Sequence, residues 1–285
     1  MENVSHMTGK KTEWVHFPFL SEAATRLMRE IADTIDEELG PLLCNSQTPS
    51  DVTHFKNSKR TAEGSVVLRA GKDKTQISFV LGSWLRCKLT AGTLDIATII
   101  IMVGHEIDTP HFMFELIQND NNSVILLLDF LPRKDVVLNP DYLKRYYDDT
   151  GLEKLRKGLD KIPQSKVYVP SSLYVRSLVS PTALLYKFKN LIHSDSNAND
   201  TGNAEDLDAL VKEIVYPTAK GALMKWLDAF RNKVNKITGE ESLQLLERDN
   251  QIKEKGIEID LSSNMPRLFG HEITHKVIQA YRKGV

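Results

Sequence analysis

Cysteine is scarce in this 285-residue chain, where only Cys44 and Cys87 occur. They lie too far apart for a CxxC pair, a zinc ribbon or an iron–sulfur ligand set, and two isolated thiols suit a reducing compartment. No two glycines are separated by a single residue, so the dinucleotide fingerprint GxGxxG is missing, and so is the phosphate-cradling GxxxxGK[ST]. Neither of those standard loops is available to hold a nucleotide. A GxSxG nucleophile elbow is absent too. Charge of one sign is also lacking, because 37 Lys and Arg against 38 Asp and Glu leave a formal net charge of −1. Proteins that bind nucleic acid or a membrane surface ordinarily carry a clear basic excess, so any electrostatic docking here has to use a local patch. The longest apolar run, "VILLLDF" at 124–130, falls far short of the roughly 20 residues that span a bilayer. The N-terminal "MENVSHMTGKK" contains no apolar signal core. Residues 1–13 are expected to be disordered or foreign to the natural chain, with any import peptide absent or already removed.

What is present reads as ordinary globular material, 41% hydrophobic and 26% charged. No linker divides the rest, and 14–285 is expected to be a single domain. From Leu20 to Leu43 apolar residues recur at intervals of three and four, with Ser21 as a cap and Gly40-Pro41 as a stop, which predicts an amphipathic helix. The pattern then switches to strands at 65–70, 75–89, 93–102, 111–118 and 123–131, separated by short turn-like breaks. Breaks of that length suit an antiparallel meander, since parallel neighbours need long crossovers. The strand at 123–131 is apolar on both faces until Asp129, so it requires cover from both sides. Helices predicted at 139–148, 151–161, 205–231, 239–255 and 271–283 supply that cover, and 180–190 adds one more strand. The segment 193–206, "HSDSNANDTGNAED", reads as a flexible polar loop.

Within the predicted strand "HFMFELI" at 111–117, Phe112, Phe114 and Leu116 fall on one face and His111, Met113, Glu115 and Ile117 on the other. Glu115 is therefore an acid in a segment otherwise built for burial. It can serve as a proton donor held neutral by desolvation, or it can face solvent, or pair with a Lys or Arg. One metal motif also occurs, HExxH as "HEITH" at 271–275. The residues after His275, "KVIQAYRKGV", offer no His, Asp or Glu as a third ligand, and little helix precedes the motif. A terminal amphipathic helix, with Glu272 near its positive end and Lys276, Arg282 and Lys283 toward its negative end, explains the same residues without a metal.

Four longer blocks carry more information. "HFMFELIQ", "LLLDFLPRKDVVLNPDYLKRYYDDT", "SSLYVRSLVSPTA" and "IEIDLSSNMPRLFGHEI" resemble, in order and spacing, the red chlorophyll catabolite reductases of plants, relatives of the ferredoxin-dependent bilin reductases. The resemblance runs from about Trp14 to the C-terminus. It implies an α/β fold, a three-layer α/β/α sandwich with a central antiparallel sheet flanked by helices. It implies two-electron reduction of the open-chain tetrapyrrole red chlorophyll catabolite to a primary fluorescent catabolite, with reduced ferredoxin as external electron donor and no bound cofactor. It also implies that Glu115 and Asp260 line the substrate site as catalytic acids. Asp260 taken by itself could equally be a turn or helix-capping residue.

Other candidates for substrate binding are Arg133 and Arg176, because guanidinium groups pair bidentately with the pigment's carboxylates, although each could be a surface ion pair instead. His111 lies about 13 Å along the strand from Glu115, a span that a tetrapyrrole can bridge. Val179 occupies a position where family members differ in side-chain size, and it bears on which face of a methine bridge is protonated. Ferredoxin is acidic, so the basic segments 154–166 and 231–236 are candidates for its docking surface. Two alternatives stay open: reduction of biliverdin or a related bilin, and tetrapyrrole binding without turnover. The family usually works in chloroplasts, which fits a mature form without its transit peptide, and a cytoplasmic relative is the other option. Homodimers occur in the family. Neither nucleic acid nor a membrane span is expected.

Overall fold

A computed structural model describes residues 16–18, 20–74, 76–90, 92–119, 123–189 and 204–283. The segment 1–13, and the expected loop at 193–206 as far as residue 203, lie outside the described residues.

The first helix, α1 (Glu22–Leu39), starts where the Ser21 hydroxyl accepts a hydrogen bond from the Ala24 amide. Its apolar stripe, including Leu27, Ile31 and Ile35, is buried. A single turn, α2 (Ser50–Thr53), precedes a short edge strand β1 (Phe55–Lys56). The meander follows as β2 (Ala62–Ala70), β3 (Ile77–Leu89), β4 (Gly92–Val103), β5 (His111–Asn119) and β6 (Ser123–Leu131). Next come α3 (Pro140–Leu143), running into a π-helical turn at Lys144–Asp148, and α4 (Leu152–Leu159). Beyond them lie β7 (Ser165–Val167), α5 (Leu173–Leu178) and β8 (Leu184–Lys189). The chain ends with α6 (Ala204–Leu210), which continues through a π turn into α7 (Tyr216–Asn232), then α8 (Gly239–Gly256) and α9 (Ser263–Lys283).

Among the described residues the strands form one eight-stranded sheet in the order β1-β2-β3-β4-β5-β6-β8-β7, every pairing antiparallel. The meander was legible because its turns are short. Sequence pattern missed β1 and β7, which are too short to show a period, and α5. Residues 180–190, expected as one strand, are extended only from Leu184.

Each face of the sheet has its own cover. On one side Ile99, Phe112, Phe114, Leu116, Leu126 and Leu128 pack with α1 and with Leu223, Trp226 and Leu227 of α7 in a single apolar cluster. The Trp226 indole donates to the Pro110 carbonyl at 2.9 Å and lies against Phe112. On the opposite side Leu68, Phe79, Leu81 and Met102 pack with Met265, Phe269 and Val277 of α9. This is the expected α/β/α sandwich.

The last helix is longer than expected. It is two helical pieces joined at a kink at Gly270, whose φ of 80° is a conformation that side-chain-bearing residues rarely adopt; the piece from 271 is the expected helix, and the one from Ser263 was not expected. Pro266 lies inside this helical stretch, after the π turn at Ile257–Ser262.

Phe114 is fully buried beneath α7. Its replacement by Ala is expected to lower stability by about 3–5 kcal/mol, read as a shift in the urea midpoint.

Candidate active site

Strand β5 presents Glu115 on the α9 side of the sheet because its neighbours Phe114 and Leu116 are committed to the α7 side. In register, Glu115 lies between Thr98 of β4 and Leu127 of β6. Thr98 Oγ1 donates to Glu115 Oε2 at 2.8 Å. That bond favours the anion, yet desolvation outweighs it and, with the nearby charge of Asp260, pushes the carboxyl up to about 7. Such an acid is neutral in a large fraction of molecules at physiological pH. No Lys or Arg pairs with it among the described residues, so it is neither a surface acid nor an ion-pair partner.

Beside Glu115 a cavity of about 170 Å³ opens between the sheet and the helices α5, α8 and α9. Phe79, Ile100, Met102 and Met113 form its apolar floor, and Val179, Asp260 and Tyr281 stand around it. Asp260 lies in a π-helical stretch, Ile257–Ser262, that joins α8 to α9, and not in the turn or cap that its sequence context suggested. Inserted π turns of this kind recur at functional sites because they redirect a side chain without ending the helix. Asp260 is open on one side, but the surrounding protein still desolvates its carboxyl enough to raise its pKa. Tyr281, near the end of α9, has its phenol pKa raised by burial and by the charges of Asp260 and Glu115. Asp260 and Tyr281 thus line one apolar space, and Glu115, outside its lining, is near enough to interact electrostatically with both. Sequence reading missed Tyr281. An i, i+4 spacing from Val277 put it on a helix face, but nothing local showed what that face meets.

Val179 follows α5 and is fixed by its neighbour. Ser180 donates to the buried Asp129 of β6 through its amide at 2.7 Å and its hydroxyl at 2.5 Å. Burial pushes the Asp129 carboxyl up to about 6 against those two bonds. This acid, which interrupts the apolar run of β6, therefore anchors the cavity wall.

The remaining candidates lie elsewhere. His111 is completely buried, with Nδ1 accepting from the Val103 amide at 2.9 Å and Nε2 2.9 Å from Asp249 Oδ1. An accepting Nδ1 leaves the proton on Nε2, which donates to Asp249. Arg133 is equally buried. Its Nε and Nη2 bond the Asp249 carboxylate at 3.2 and 2.5 Å, while Nη1 donates to the carbonyls of Gly104 and Ile107. These two residues and Asp249 brace α8 against β5, β6 and the 104–109 turn, and neither lines the cavity. Arg176 is not beside a strand end but on α5, exposed, with Nη1 turned back to the carbonyls of Pro170 and Ser171.

The HExxH residues His271, Glu272 and His275 are exposed, and Glu272 pairs with Lys276. No group of three or more His, Cys, Asp or Glu arranged to hold a metal occurs among the described residues. In the basic segments, Arg156 and Lys157 pair with Glu153, Arg156 also pairs with Asp160, and Arg231 pairs with Glu38, which leaves the exposed lysines 154, 161, 166 and 236 to carry any attraction for an acidic surface. No helix among the described residues is long and apolar enough to cross a membrane.

Comparison with known proteins places the chain in a family. The family model described as red chlorophyll catabolite reductase (RCC reductase) matches residues 23–283. The chain is 36% identical over 277 residues to the chloroplastic red chlorophyll catabolite reductase of Arabidopsis thaliana, covering 96% of this chain and 83% of that protein. It is 34% identical over 263 residues to the chloroplastic red chlorophyll catabolite reductase 1 of Oryza sativa subsp. japonica, covering 92% and 77%. Among solved structures, phytochromobilin synthase from tomato, in complex with biliverdin, superposes with a TM-score of 0.63 at 15% identity, over 90% of this chain and 84% of that one. At that identity the likeness is one of fold.

Two outcomes follow from the electrostatics. Replacing Arg133 by Met strands the Asp249 carboxylate with His111 as its one remaining side-chain partner, and stability is expected to fall by about 3–5 kcal/mol in urea denaturation. The Glu115 pKa lies above its ordinary 4.5, so between there and about 7 the folded form holds the extra proton and stability declines as pH rises. Glu115→Gln removes that contribution, so the variant should melt higher than the parent at about pH 8 and approach it at about pH 5.

Proposed function

This chain belongs to the red chlorophyll catabolite reductase family, and from that premise we propose that it reduces red chlorophyll catabolite in chlorophyll breakdown, in the chloroplast, with Glu115 and Asp260 as its proton-handling residues. The observation that carries the assignment is a buried acid held near pKa 7 within electrostatic reach of Asp260, which lines an apolar cavity.

The overall step adds two electrons and two protons across a double bond of the conjugated pigment. Reduced ferredoxin supplies the electrons one at a time, and the pigment holds the unpaired electron between transfers. An added electron makes the conjugated system more basic, so a neutral acid in contact with it can deliver a proton that the oxidised pigment would refuse. Glu115 has that form near neutrality. Thr98 occupies Oε2, which leaves Oε1 to carry the hydrogen toward the ligand. Once Glu115 is ionised, its charge and that of Asp260 oppose each other, which keeps one of the pair protonated and favours return of a proton through the more open Asp260. Apolar walls from Ile100, Met102 and Met113 exclude water, so the proton goes to the pigment and not to solvent. Val179, held through Ser180 and Asp129, presses on one side of the cavity and biases the face that receives it. Ferredoxin docks through the exposed lysines of the 154–166 segment, an attraction that weakens with salt.

The deciding assay is anaerobic, with reduced ferredoxin and either red chlorophyll catabolite or biliverdin. Loss of red colour with a gain of blue fluorescence is the expected result, at a rate that falls as pH rises through about 7. Glu115→Gln should bind the pigment and turn it over about 10²- to 10⁴-fold more slowly. Full-speed turnover by that variant would refute the role of Glu115. Pigment binding with no spectral change in the parent protein would refute the reductase assignment.

A further inference from the structure

Next to the cavity that holds Asp260 lies a second, of about 200 Å³, lined by Lys74, Ser78, Gly104, His105, Asn250 and others. Phe79, Met102 and Lys253 belong to the walls of both. Neither space alone reaches the roughly 300 Å³ at which ligand pockets ordinarily begin, whereas the two together do. An open-chain tetrapyrrole is long and needs such an extended site.

Lys253 projects from α8 at the junction and is half-buried. No hydrogen-bond or ion-pair acceptor meets its ammonium group among the described residues. The acid next to it in sequence, Glu254, is bonded to Arg282 at 2.8 Å. The acid in the second cavity, Asp249, has its oxygens taken by His111 and Arg133. The pKa of Lys253 is lowered, mainly by desolvation; the charge of Glu254 opposes that shift, and Lys74 and Arg282 add like charge. A half-desolvated cation with no acceptor bonded to it is unfavourable until an anion arrives to pair with it. The two arginines that sequence offered for this task are bonded to protein groups instead.

We propose that Lys253, supported by Lys74 and His105, forms a carboxylate subsite that seats an acidic side chain of the tetrapyrrole in the second cavity while its conjugated body lies in the first. This rests on the pigment reading given above. The subsite fixes the register of the long ligand along the sheet and so decides which of its atoms meets Glu115.

The test is a binding titration by absorbance, comparing red chlorophyll catabolite with the same pigment methyl-esterified at its free carboxyl group. The parent protein should bind the ester about tenfold more weakly, as expected for one lost charge-assisted hydrogen bond. Lys253→Gln should weaken binding of the free acid about tenfold and cease to distinguish it from the ester, while Lys253→Arg keeps the distinction. Lys74→Gln should give a smaller loss in the same direction. If the Gln variant discriminates as the parent does, or the parent never discriminates, the subsite is wrong. Ferredoxin-driven turnover of the free acid by the parent protein separates this failure from failure of the reductase assignment, which would show as no turnover at all.

Discussion

The two-residue period of β5 is the constraint on which the site depends. Phe112, Phe114 and Leu116 are each nearly inaccessible under α1 and α7, and a strand cannot turn one residue without turning them all. A slip by one position would bring an ionisable carboxyl into the core and three apolar side chains out of it. The apolar face of the sheet thus holds Glu115 on the opposite face at no conformational cost to the acid itself, and the neighbouring strands fix its lateral position through Thr98 and Leu127. Its unusual acidity is then a consequence of place: a carboxyl with one hydroxyl donor, apolar neighbours and another acid nearby has little to stabilise its charge.

The opposite wall is built by different means. Between α8 and α9 the chain stays helical but loosens into the π stretch at Ile257–Ser262, then breaks at Gly270. Those two irregularities let the second half of α9 return across the sheet, so that Asp260 and Tyr281, 21 positions apart, border the same cavity. Val179 enters from a third segment through the Asp129–Ser180 bonds. A regular face positions the first acid, while irregular backbone positions the groups around it.

Charge is divided between architecture and ligand. Arg133 is planar, permanently ionised and able to donate in several directions, which suits it to satisfy Asp249 and two backbone carbonyls at once in a buried brace. Lys253 offers a mobile point charge with nothing bonded to it among the described residues. In the proposed reaction the same division would let a nearly neutral protein attract an anionic pigment and an acidic electron donor, because a few cations are not bonded to its own carboxylates.

Much of the fold was written in local pattern. Ser21 and the spacing of Leu27, Ile31 and Ile35 determine α1, and the alternation and short breaks of the meander determine five strands and their antiparallel sense, because those properties act between residues close in the chain. The same alternation, together with the resemblance of whole blocks, singled out Glu115 and Asp260 as candidates. What tertiary structure alone decided involves partners far apart: Arg133 with Asp249 across 116 positions, His111 with Asp249 across 138, and Tyr281 beside both acids. No periodicity can tell a brace from a binding group, since His111 and Arg133 look the same in either role until the residue that takes up their hydrogen bonds arrives from the other end of the chain.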